Sequence, residues 1–136
     1  MFLRRPPRPK TLRTRTLAQR VGEAAEAVAA DHLAQQGLRI IARNVRYPDG
    51  ELDVIASEGD TLVFVEVRLR TDQSHGGALA SVDVHKRRRL IRAAQHYLNA
   101  HTRDGKYPLP PCRFDVIAVN AQGVSEWVRG AFDVEE

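Results

Sequence analysis

The chain has 136 residues, of which 43% are apolar and 28% charged, with one cysteine. That length suits one domain. No apolar run approaches the roughly 18 residues needed to span a bilayer, and Cys112 alone excludes an internal disulfide, which points to a reducing compartment such as the cytoplasm. The net charge is +4, but seven cations and no acid fall in the first twenty residues, which leaves the other 116 at −3.

Residues 1–16 read as a flexible basic arm ahead of a folded domain at 17–136. The arm has no apolar core of the kind a secretory signal needs, and Pro6, Pro7 and Pro9 would spoil the amphipathic helix of a transit peptide. Basic arms often contact nucleic acid, and equally often are solvated tails. A helix is predicted over 17–36 with Gly37 as its stop, and Val21, Ala25, Val28, Ala29, His32 and Leu33 as its apolar stripe. Glu26 borders that stripe, where a carboxylate can reach the end of a packed sheet; Glu23 points to solvent.

A strand follows at 39–43, then a turn at Tyr47-Pro48-Asp49-Gly50. Strands at 51–57 and 61–69 flank Gly59-Asp60, a dipeptide suited to a two-residue hairpin loop. Residues 70–81 form a loop. A second helix over 82–101 presents Leu90, Ile91, Ala94, Tyr97 and Leu98 to the core. Residues 104–111 are a Pro-rich connection, 113–120 another strand, and 125–129 a short last one. The order α-β-β-β-α-β gives an α/β fold with a mixed central sheet flanked by helices.

The hairpin carries the chemistry. If Gly59 and Asp60 are the loop, Glu58 pairs with Thr61, Asp53 stands opposite Glu66, and both carboxylates face one way. Opposed Cα atoms lie roughly 4.5–5.5 Å apart, and two like charges at that distance repel by about 3 kcal/mol at an effective dielectric of 20. The flanks Leu52, Val54, Ile55, Val63, Phe64 and Val65 look buried on both faces, where acids are rare unless paired. A hard divalent cation, Mg²⁺ or Mn²⁺, would relieve the repulsion. The bland alternative is one acid exposed at a strand end and the other paired with an arginine.

Arg68 shares the face of Glu66 and stands opposite Glu51 in that register. It is read either as a cross-strand partner of Glu51 or as a fixed cation for a phosphate; a guanidinium cannot serve as a base. Lys86, Arg87, Arg88, Arg89 and Arg92 make the start of the second helix basic. Arg88, Arg89 and Arg92 fall opposite its apolar stripe, suited to a phosphate backbone, and Lys86 borders the stripe, where it can face the cleft. The five histidines lack metal-ligand spacing, so a zinc site is not expected. Asp115 reads as a structural partner for a cation.

These residues resemble a known family. Gly22-Glu23-x-Ala25-Glu26, Gly37, Asn44-x-Arg46, Gly50-Glu51-Leu52-Asp53, Phe64-Val65-Glu66-Val67-Arg68-x-Arg70, Val82-x-x-x-Lys86 and Arg113-Phe114-Asp115-Val116, in that order over about 20–132, are similar to the YraN-like small bacterial proteins. That family resembles the PD-(D/E)XK nucleases, and among them the archaeal Holliday junction resolvases. The resemblance implies a restriction-endonuclease-like core. It also implies metal ligation by Asp53, Glu66 and the Val67 carbonyl, with Glu26 matching the resolvases' first-helix acid.

One position departs: Arg68 stands where the superfamily motif has a lysine that positions or activates water. Arginine keeps the charge but not the capacity to lose a proton, so catalysis is more exposed to the change than metal or phosphate binding. The expectation is a nuclease-like DNA-binding protein, as a Mg²⁺-dependent structure-selective endonuclease acting on duplex or branched DNA, with a homodimer suiting a junction. The alternatives are a catalytically silent DNA-binding module and a protein-interaction domain using the sheet edge or Trp127. No membrane partner is expected.

Overall fold

The computed structural model describes residues 14–71, 76–101 and 109–134. Most of the basic arm, His75, and residues 104–108 of the Pro-rich connection lie outside the described residues. Helix α1 (Leu17–Gln35) opens on a capping box in which Thr16 and Gln19 satisfy each other's backbone N–H. It ends before Gly37, whose φ of 94° suits a residue without a Cβ. Strands β1 (Arg39–Tyr47), β2 (Gly50–Glu58) and β3 (Thr61–Leu69) follow. Helix α2 (Val84–His101) leads to β4 (Cys112–Asn120) and β5 (Gly123–Phe132).

The five strands lie in sequence order in one sheet. β3 and β4 are parallel and the other neighbours antiparallel, so the protein is a mixed α/β fold with two helices. Helix α2, in the β3–β4 connection, covers one face over Leu52, Ile55, Phe64, Phe114 and Val116. Phe64, Phe114 and Phe132 stack in a row there, with centroids 5.5 and 4.8 Å apart. Helix α1 covers the other face over Val54, Ala56, Val63, Val65, Ile117 and Val119. No helix among the described residues is long and apolar enough to cross a membrane.

Several elements differ from the sequence expectation. β1 runs four residues past 43, through a bulge between Ile40 and Ala42 and a left-handed Asn44 (φ 53°). Both features break the period-two signal that marks a strand. β5 is ten residues long rather than five; its alternation is blurred by Gly130, whose backbone is left-handed within the strand (φ 58°). In α1, Val21 and Val28 are exposed while Ala30 is buried. The helix therefore meets the sheet through its alanines, a close approach that small side chains allow.

Gly50 fixes where α2 sits. A Cβ on Gly50 would overlap the Arg89 carbonyl oxygen and stand 3.3 Å from the Ala93 Cβ. Beside it, His96 stacks on Tyr47 at 5.0 Å and its Nε2 lies 2.9 Å from Asp49 Oδ1, so the β1–β2 turn clasps the helix. Gly50→Ala is expected to push α2 outward and to cost about 1–3 kcal/mol, the usual range for overpacking. A denaturation midpoint unchanged from wild type would contradict this contact.

Candidate functional site

The hairpin register is the expected one from Glu58–Thr61 to Val54–Val65, and Gly59 takes the positive φ (57°) that a tight hairpin loop requires. Beyond Val65 the ladder stops. Leu52 and Ile55 face α2 while Val54 and Ala56 face α1, so strict alternation breaks at Asp53. Its carboxylate enters the gap between the parting strands, where Oδ2 accepts the Val67 N–H at 2.9 Å. Asp53 and Glu66 are thus not ladder partners as expected; they meet through their carboxyl groups.

Arg68 is likewise not paired with Glu51. Glu51 faces Arg46 across β1–β2, 3.4 Å from its Nε. Arg68 turns to Glu66 on its own strand, with Nη1 3.7 Å from Oε1. Lys86 reaches the same oxygen from α2, its Nζ at 3.4 Å. The lysine is held there because Asp83 caps the helix, accepting the Lys86 N–H at 2.8 Å. The cap also explains why the helix begins at Val84 rather than 82.

Glu66 is only 3% exposed. Burial, then the Asp53 charge, push its carboxyl up to about 8, against the partial offset of Lys86 and Arg68. Burial also raises Asp53, offset in part by the Val67 amide. Burial and the neighbouring acid therefore favour the protonated form of Glu66 near neutral pH, and the two carboxyls titrate as a unit. Glu66 Oε2 is buried with no hydrogen-bond donor of the protein against it. A shared proton or a cation is what such an oxygen lacks.

Glu26 comes to this pair from the other side of the sheet. Partial burial and the neighbouring Asp53 charge raise its carboxyl, while the Asn44 amide, hydrogen-bonded to it, works the other way. Its Oε2 too is buried without a partner. A cavity of about 370 Å³ opens beside it, lined by Gly22, Glu23, Glu26, Asn44, Arg46 and Glu51, with Arg15 and Gln19 at its rim. Arg15 is ion-paired to Glu23. Hollows of about 410 and 400 Å³ around Leu69, Arg70 and Asn120 contain none of the site acids.

Oxygen donors, two of them orphaned, fit a hard cation such as Mg²⁺. Among the described residues no three His, Cys, Asp or Glu side chains gather closely enough to enclose one. Asp53 and Glu66 would hold it, and waters or substrate oxygens would complete the shell, as Mg²⁺ commonly requires.

The basic helix divides. Arg88, Arg89 and Arg92 are exposed as expected. Arg87 is not a free surface cation: its Nε donates to the Val82 carbonyl at 3.0 Å and its guanidinium lies 5.5 Å over the Phe132 ring. Asp115 pairs with Val65 across β3–β4, and its carboxylate is taken up by Arg113, Trp127 and the Gly130 N–H rather than by the acid pair. Trp127 is half-buried and engaged by His32, Arg129 and Asp115. Sequence reasoning missed Asn44 and Arg46 as neighbours of Glu26. The bulged strand hid them, and only the motif Asn44-x-Arg46 marked the place.

Residues 25–119 match the family described as "Uncharacterised protein family UPF0102". A UPF0102 protein of Stutzerimonas stutzeri is 50% identical over 119 residues, covering 85% of this chain and 97% of that protein. One from Herminiimonas arsenicoxydans is 46% identical over 133 residues, covering 97% and 95%. A third, from Methylococcus capsulatus, is 47% identical over 117 residues, covering 84% and 91%. The matched span runs from the first helix through β4 and takes in every acid of the site, so the chain belongs to the UPF0102 family, the YraN-like proteins.

Proposed function

We propose that this protein is a nuclease-like nucleic-acid-binding protein that hydrolyses phosphodiesters in duplex or branched DNA with Mg²⁺ or Mn²⁺ in the cytoplasm. The observation that carries the reading is the buried Glu66 carboxyl, shared with Asp53, orphaned at Oε2 and flanked by Lys86 and Arg68. Burying two like acids is costly unless the site has a use for a cation. The α-β-β-β-α-β order with β3 and β4 parallel supports a restriction-endonuclease-like core, with β5 as an added edge strand.

Bound between Asp53 and Glu66, a divalent ion would polarise the scissile phosphate and acidify a water. The chain's own residues do the rest. Lys86 and Arg68 place positive charge where the phosphate gains negative charge in the transition state. Of the two, only Lys86 can give up a proton, so it stands in for the motif lysine replaced by Arg68. Arg88, Arg89, Arg92 and the basic arm grip the backbone without reading sequence. A homodimer would present two such sites to the two equivalent strands of a junction.

A second reading has its own observation. Both cations lie within 4 Å of Glu66 Oε1 and offset its charge without a metal, as in a module that binds DNA but does not cut it. Cleavage of labelled duplex, single-stranded, flapped and four-way-junction DNA with Mg²⁺ or Mn²⁺ separates the two. Metal-dependent cuts that fall to background in Asp53→Ala/Glu66→Ala are the expected result. Junction DNA retained on a gel but never cut supports the silent module; neither retention nor cutting, at low salt as well as at about 100 mM, overturns both in favour of a protein-interaction domain, since phosphate contacts weaken steeply with salt and would show first at low salt.

A further inference from the structure

Helix α1 has two apolar faces, and only one of them meets the sheet. Ala25, Ala29 and Leu33 are buried, while Leu17, Val21 and Val28 are 76%, 43% and 38% exposed. With Ala24, Asp31 and Gln35, which are also exposed, they recur at alternating intervals of four and three residues, the spacing of a seam between two helices. Arg20 flanks this seam, exposed, and among the described residues neither Arg20 nor Asp31 has an ion-pair partner. The stripe is its own complement when reversed. Val21 and Val28 are seven residues apart, about two turns, and Arg20 and Asp31 eleven, about three, so each pair lies along one line of the helix. Both pairs are centred beside Ala24 and Ala25. Turning a copy end for end about that centre lays valine on valine and Arg20 against Asp31, whereas a parallel pairing sets like charge on like, which costs affinity. Ala24, at the centre, is small enough to let two helices approach closely.

We propose that two copies of this chain pair through the outer face of α1, antiparallel, about a two-fold axis beside Ala24, with Val21 on the partner's Val28 and Arg20 against the partner's Asp31. A two-fold interface uses one self-complementary patch on both copies, and this stripe meets that condition in shape and in charge. One helix pair buries less than the roughly 1,200 Å² of a standard complex, so the dimer is weak and its population rises with concentration. The buried Glu26 oxygen lies on the other side of the helix, and the pairing does not depend on the cation reading of the acid pair.

The test is sedimentation velocity of the full chain from micromolar to millimolar concentration, for wild type, Val21→Glu, Arg20→Asp, Asp31→Arg and the double swap Arg20→Asp/Asp31→Arg, with a thermal melt of each in dilute solution. All four variants alter exposed positions, so dilute melts close to wild type are expected. Wild type should show a monomer–dimer equilibrium, and Val21→Glu should abolish it by setting a carboxylate in the seam. Each single swap should weaken the dimer about tenfold, because it spoils two exposed ion pairs at once, and the double swap should restore wild-type association. A wild type that stays monomeric throughout would overturn the proposal, as would a dimer that survives Val21→Glu. A double swap no better than either single one would overturn the antiparallel pairing, since only that arrangement sets position 20 against position 31. None of these outcomes bears on cleavage or on metal binding.

Discussion

Asp115→Ala is expected to lower the unfolding free energy by about 3–5 kcal/mol, the range for removing one partner of a buried ion pair. Asp115 is 0% exposed in the middle of the sheet. It accepts Arg113 Nε at 3.0 Å and Nη2 at 3.3 Å, Trp127 Nε1 at 3.0 Å and the Gly130 N–H at 3.0 Å. Its removal strands an arginine and two further donors, and a buried donor without a partner costs about 1–3 kcal/mol. Arg113 would keep only Glu58, whose Oε1 lies 2.8 Å away. Asp115→Asn preserves the shape but not the charge and should fall between wild type and the alanine variant. Urea midpoints at unchanged slope measure the loss; a drop below about 1 kcal/mol for alanine would show that the network is not the brace its geometry describes.

Glu66→Gln is expected to act in the opposite direction. Asp115 and Glu66 are both buried acids on adjacent parallel strands, but Asp115 is saturated with donors and Glu66 is not. The Glu66 carboxyl is raised from 4.5 to about 8 in the folded protein, so folding favours its neutral form. Its contribution is fully present below the unfolded value near 4.5 and is lost as pH rises through about 8. Each tenfold difference in proton affinity between the folded and unfolded chain is worth about 1.4 kcal/mol. Wild-type stability should therefore fall across that window by an amount on the order of a few kcal/mol, tempered by sharing of the proton with Asp53. Glutamine at 66 should flatten this slope and melt higher than wild type at about pH 9. Millimolar Mg²⁺ should recover the loss in wild type, because a ligand that binds only the folded state stabilises it, and should do nothing for the variant. A wild-type melt that stays level from about pH 5 to pH 9 would remove the case for a strained acid pair.

The part of this architecture written most clearly in the sequence is the β2–β3 hairpin. Gly59-Asp60 between two apolar runs sets the loop, and the loop sets the register. The placement of Lys86 toward the cleft and the outward face of Arg88, Arg89 and Arg92 follow from helical periodicity, while Asp53 and Glu66 stood out as acids inside apolar strands. The contacts that were not legible depend on departures from periodicity. Asp53 leaves the ladder to take the Val67 N–H, which frees Arg68 from Glu51 and gives Glu51 to Arg46. Arg87 is drawn inward by Phe132 and the Val82 carbonyl, contacts that no pattern of charges on a helix reveals. Asn44 lies between β1's bulge and its end, where the strand signal has already faded. Local rules located the buried acids; the long-range contacts decided which neighbour each charge found.

The irregularities of β1 have a second consequence. β1 and β5 are the two rims of the sheet, and neither offers a straight row of free amides and carbonyls. β1 carries a bulge at 40–42 and the flipped Asn44, while β5 slips register against β4 in two places and turns at Gly130. A flat rim is a template on which another chain can polymerise. The bulge, the left-handed Asn44 and the slipped register of β5 thus blunt both rims, and a strand-forming valine at position 44 would favour a straighter edge on β1.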